Sequence, residues 1–123
     1  MKLFELVDSA GRLLKVEGFS FPELPNEVSA IELTFEQVKC LIRVVEDTDE
    51  IEICSKIEIN DLIKSNSVIF FSEFIGKELL WAWSLVNNQG YADGLKFQFQ
   101  NSEVALELIV EASSIKQFAV KMV

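Results

Sequence analysis

A mainly β fold, built as two antiparallel meanders packed into a β-sandwich or curled roll, is what this sequence predicts. Three features carry the prediction. Apolar residues recur at every second position over much of the chain, as in Ile31, Leu33 and Phe35 or Leu95, Phe97 and Phe99, which is the period of a strand with one buried face. β-Branched and aromatic residues, ten phenylalanines among them, are frequent in those runs and favour strands. Polar turn formers separate the runs, as at Asp47–Glu50 and Asn101-Ser102.

The elements follow in order. Residues 1–21 fit either a hairpin around Asp8 to Gly11, matching Leu6 with Leu14 and Phe4 with Val16, or a short helix over 3–10 stopped by Gly11. Phe21-Pro22 to Pro25-Asn26 is a turn-rich connection. Ile31, Leu33 and Phe35, then Val38, Cys40, Ile42 and Val44, then Ile53, Ile57 and Ile59 fall on one face if the chain turns at Glu36-Gln37 and again at Asp47 to Glu50. That second turn would set Lys39 opposite Glu58. A helix over 38–45, capped by Thr34-x-x-Gln37, is the rival. Residues 60–78 link two halves, with a helical turn at 72–76 ended by Gly76.

In the second half, Trp81, Trp83 and Leu85 are expected opposite Phe99, Phe97 and Leu95, facing the core, with the loop at 88–92 and Gly90 free to take a positive φ. Turning at Asn101-Ser102 sets Phe97 against Leu106, Leu95 against Leu108 and Lys96 against Glu107. A last strand from Lys116 is expected to pair Leu108 with Val120, Leu106 with Met122 and Lys121 with Glu107. A helix over 114–122, capped by Ser114, competes with it. Helices at 3–10, 38–45 and 114–122 together would make the fold α+β. With 123 residues, 50% of them hydrophobic, and no linker or repeat, residues 1–123 read as a single domain.

Composition excludes several functions. The chain contains no histidine, so a Ser-His-Asp triad, a Cys-His pair and a His-ligated zinc are ruled out. A formal charge of -9 argues against nucleic acid, whose binders displace counterions with Lys and Arg, and against an anionic membrane surface. The longest apolar run, Leu79 to Trp83, is five residues, and no signal-peptide core is present. A cytoplasmic location is the expectation. No catalytic residues, metal ligands or cofactors are assigned, and an enzyme is the less favoured class.

Two segments are candidate sites. Asp47, Asp49, Glu50 and Glu52 form the densest acidic cluster; it lacks the glycine of a calcium-binding EF-hand loop and reads as a solvated hairpin turn or a surface for a basic protein. Asn88, Gln89, Tyr91 and Asp93 crowd polar groups onto one loop, suited to binding a small ligand or simply to satisfying the loop's own backbone. Cys40 and Cys54 are expected on opposite faces, hence unpaired. Gly76-Lys77 lacks the rest of a phosphate loop.

The Trp81-x-Trp83 and Asn88-Gln89-Gly90-Tyr91-x-Asp93 elements, with Ile75-Gly76-Lys77 and Asp47-Thr48-Asp49-Glu50-Ile51 upstream, resemble a family of small acidic bacterial proteins classed as a domain of unknown function. The likeness covers residues 44–100. It implies a bacterial source and supplies no activity or site residues. The functional expectation is therefore a small acidic binding protein, an inhibitor or immunity-type partner of a basic protein. The alternative is a ligand-binding or hydrolytic domain with its pocket at the 88–93 loop.

Overall fold

Of the three segments open to helix or strand, the first is a helix and the other two are strands. The structure is a computed structural model that describes residues 1–121. Helix α1 (Leu3–Ser9) is followed by β1 (Leu13–Ser20), β2 (Ala30–Phe35), β3 (Lys39–Val45), β4 (Glu50–Cys54) and β5 (Ile63–Lys64). A 3₁₀ turn (Phe70–Phe74) then leads into β6 (Leu79–Val86), β7 (Ala92–Phe99), β8 (Val104–Glu111) and β9 (Ser114–Lys121). Gly11, at φ +81°, takes the left-handed conformation that turns the chain out of α1. No helix among the described residues is long and apolar enough to cross a membrane.

Two antiparallel sheets result, one of five strands in the order β4-β3-β2-β1-β5 and one of four in the order β6-β7-β8-β9. Their apolar faces meet in one core that includes Ile31, Leu33, Ile42 and Val44 from the first sheet and Leu95, Phe97, Leu106 and Leu108 from the second. The turn at Glu36-Gln37 gives the expected register, with Leu33 opposite Cys40 and Ile31 opposite Ile42. The pairs Phe97–Leu106, Leu95–Leu108 and Lys96–Glu107 are also as expected.

Three registers differ from expectation. In β6, Leu79 stands opposite Phe99 but Trp81 opposite Gln98, so Leu80 is an extra residue and the strand turns over. Ala82 then faces Phe97, while Trp83 faces Lys96 on the outer side. Trp81 is 62% exposed and Trp83 37% exposed, neither of them core. The space they were expected to fill is taken by the 3₁₀ turn. Phe71 meets Phe97 and Phe99 edge-on at 5.2 and 6.1 Å, and Phe74 stacks on Phe99 at 4.8 Å.

In β9 the expected pairing is displaced by three residues: Leu108 pairs with Gln117, Leu106 with Ala119 and Glu107 with Phe118. The cause is a tight turn in which Ala112 and Ser113 both adopt positive φ, 48° and 62°, the geometry of a two-residue hairpin loop without its usual Asn or Gly. The expected partner Met122 lies outside the described residues.

In β4 the register is displaced by two, with Leu41 opposite Cys54 and Arg43 opposite Glu52. Lys39 therefore reaches Glu32, at 3.9 Å, and Glu58 pairs with Lys56 at 2.7 Å. Ile57 and Ile59 leave the expected face. They fold over the outer side of the first sheet, where with Leu62 they cover Phe19, Ala30 and Leu41. Two large apolar side chains on that side would otherwise meet water.

Candidate functional site

The two segments singled out by sequence meet at one end of the sandwich. Between β3 and β4 the chain turns through residues 46–49, with Asp49 at φ 53°. That conformation is tolerated by Asp better than by most side chains. The Asp49 Oδ1 accepts the backbone N–H of Ser113 at 3.1 Å, from the β8–β9 turn of the other sheet. Next to it, Glu50 Oε2 accepts the N–H of Ala92, also at 3.1 Å, where β7 begins. Two carboxylates of the acidic turn thus fasten it to the two loops of the opposing sheet at this end, β6–β7 and β8–β9.

The loop before β7 is organised by Asn87. Its Oδ1 accepts the N–H groups of Gln89 and Tyr91 at 2.9 and 3.2 Å, and its Nδ2 donates to Asp93 Oδ2 at 3.1 Å. The backbone closes the same loop, with Asn87 N–H donating to Tyr91 O at 2.9 Å and Gly90 N–H to Asn87 O at 3.0 Å. Asp93 is the extra residue of a bulge between Leu85 and Val86 on the facing strand. Asn88, Gln89 and Tyr91 remain exposed, Tyr91 by 45%.

Charge at this end is unbalanced. The six ion pairs among the described residues occupy Glu36, Glu32, Asp61, Glu58, Glu17 and Glu27. None involves Glu46, Asp47, Asp49, Glu50, Asp93 or Glu111. Glu46, Asp47 and Glu111 are exposed. Glu52 stands apart from them, on the outer side of the first sheet across from Arg43. There it shares a cleft of about 330 Å³ with Cys54, Lys56, Glu58 and Asp61. The Arg43 guanidinium forks onto Asp61 at 2.5 and 3.2 Å and holds that carboxyl below its ordinary pKa.

Both thiols are free. Burial pushes Cys40 up to about 12, helped by Cys54 and Glu32, and burial followed by Glu52 raises Cys54. At neutral pH both are protonated, the inert form of a thiol. Among the described residues no three metal-ligating side chains come together. The outer face carrying Trp81 and Trp83 escaped the sequence reading. The linker's Phe70-Phe71-x-x-Phe74 cluster was the available signal that other aromatics would fill the core.

A model described as a family of unknown function, DUF6334, matches residues 3–123. No curated protein and no solved structure matches the chain.

Proposed function

The chain belongs to the DUF6334 family, a family of unknown function, and from its acidic end we propose that it is a non-enzymatic binding module docking on a basic protein, as an inhibitor or immunity-type partner does. The observation that carries this reading is the distribution of charge. The six ion pairs among the described residues all lie elsewhere in the sandwich, while Glu46, Asp47, Asp49, Glu50, Asp93 and Glu111 gather at one end with no Lys or Arg paired to them. Like charges held together raise the potential beyond that of any one of them and steer a cationic partner toward it. Tyr91, exposed in the same loop, offers the amphipathic aromatic surface common at protein interfaces. Glu52, on the outer side of the first sheet across from Arg43, is not part of this surface.

The test is affinity capture from native lysate at low salt, followed by kinetics on what is retained. Asp47→Asn with Asp49→Asn removes charge and keeps hydrogen-bond acceptors. Association should slow and lose part of its salt dependence, with dissociation little changed, because exposed charge acts mainly on the on-rate. A lysate that yields no basic protein, or an unchanged association rate across salt concentrations, contradicts the reading.

A further inference from the structure

Between the 3₁₀ turn and strands β8 and β9 a cavity of about 250 Å³ opens. Its depth comes from side chains that belong to the core: Phe74, Ala105 and Leu106 line it and are buried. Its width comes from Ala119, which stands opposite Leu106 in β9 and contributes only a methyl group to the lining. Both aromatic walls are fixed. The Gln117 side chain accepts the N–H of Phe70 at 2.8 Å and donates to the carbonyl of Val68 at 2.9 Å. Phe74 is stacked on Phe99, with the ring planes 11° apart. A cavity held open in this way gives up little order when it is filled.

One lining residue is charged. Glu73 is exposed and makes no ion pair among the described residues. Lys121, across from the lining residue Val104, is not within ion-pairing distance of it.

We propose that this cavity binds a small apolar amine, with the hydrocarbon body against Phe74, Leu106 and Ala119 and the ammonium toward Glu73. Charge selects the class. Glu73 attracts a cation and repels a carboxylate or phosphate, as does the formal charge of -9 on the chain. The phenyl faces of Phe70 and Phe74 attract an ammonium but not a neutral group of the same shape. The apolar walls favour a hydrocarbon body over a hydrated metal ion, which would lose water and find no ligands there. The volume lies just below the range of drug-sized pockets, so the ligand is small. This site shares no residue with the acidic end.

Backbone amide shift titrations of the full chain test this, with 2-phenylethylamine, 2-phenylethanol and phenylacetate as probes of one shape and three charges. Salt at about 0.15 M screens general attraction to the acidic surface. The amine should shift residues 70–74, 104–106 and 119 and bind about five times tighter than the alcohol, the yield of one exposed ion pair and a cation–π contact. Phenylacetate should be the weakest. Glu73→Gln should bring the amine down to the affinity of the alcohol and leave the alcohol unchanged. Glu23→Gln, which removes the same charge from another exposed position, should keep the preference. Ala119→Leu should fill the cavity and abolish binding of both; if that variant fails to fold by far-UV circular dichroism, Glu73→Gln decides. An amine bound no tighter than the alcohol overturns the proposal. So does a preference that Glu73→Gln preserves or Glu23→Gln removes, a set of shifts confined to other residues, or full binding by a folded Ala119→Leu chain.

Discussion

Lys96 stands across from Trp83 on the neighbouring strand, with its Nζ 5.2 Å from the centre of the indole, on the side of the sheet away from the core. The tryptophan is thus held at the surface by a cation rather than buried among apolar side chains. Replacing it should cost little. We expect Trp83→Ala to lose about 0.5–1 kcal/mol, the size of an exposed cation–π contact. Phe71, fully buried between the sheets, should lose about 3–5 kcal/mol on truncation to Ala. Urea unfolding of the two variants measures the difference, and equal losses would mean the indole is core after all.

Asp49 joins a strained turn to a neighbouring one, since both it and its partner Ser113 have positive φ. Asn tolerates that conformation and keeps an acceptor oxygen. Asp49→Asn should therefore unfold at nearly the wild-type urea concentration. Asp49→Ala loses a hydrogen bond worth about 1 kcal/mol and with it the short polar side chain that makes a left-handed residue tolerable there. Glu50→Gln against Glu50→Ala should show the same order through the N–H of Ala92. If the Asn and Ala variants at position 49 are equally stable, the turn is not held by this contact.

Stability should fall at both ends of the pH scale. Hydrogen bonds from Arg12, Arg43 and Lys64 lower Glu36, Asp61 and Glu17 respectively. Carboxyls lowered in the folded state bind more protons when unfolded. Their contribution is complete above the unfolded value, about 4, and is lost as pH falls through the folded one. Cys40 has the opposite sign. Its thiol is raised by burial to about 12, so its contribution is complete below about 8.5 and is lost as pH rises toward 12. Urea midpoints measured from acid to alkaline pH should form a plateau with two falling limbs. Cys40→Ala should flatten the alkaline limb, and an unchanged limb in that variant would assign it to other groups.

The parts of the fold that could be read from sequence are those where local pattern and turn chemistry agree. Ile31, Leu33, Cys40 and Ile42 alternate cleanly around Glu36-Gln37, and their register is as expected. Leu95 to Leu108 behaves the same way around Asn101. Alternation failed where a residue outside the strands supplied the core. Nothing in Leu-Leu-Trp-Ala-Trp says that Leu80 bulges, because the reason lies in Phe71 and Phe74. A turn is legible at Ser113, but the register it sets is not, since the left-handed Ala112 and Ser113 are not the usual Asn or Gly. Both candidate site segments were visible in the sequence. Their meeting was not, because it depends on hydrogen bonds from Ser113 to Asp49 and from Ala92 to Glu50, across 64 and 42 residues of chain.

On the proposed function, recognition of a cationic surface is focused on the end formed by the acidic turn and the Asn87–Asp93 loop. The most direct measurement is a backbone amide chemical-shift map of the wild-type chain titrated with an oligolysine peptide at low salt. Shifts should concentrate at residues 46–50, 87–93 and 111–113, weaken in the Asp47→Asn, Asp49→Asn pair and fall as salt rises. Shifts spread evenly over the acidic residues of both sheets, or unchanged in the double variant, would contradict it.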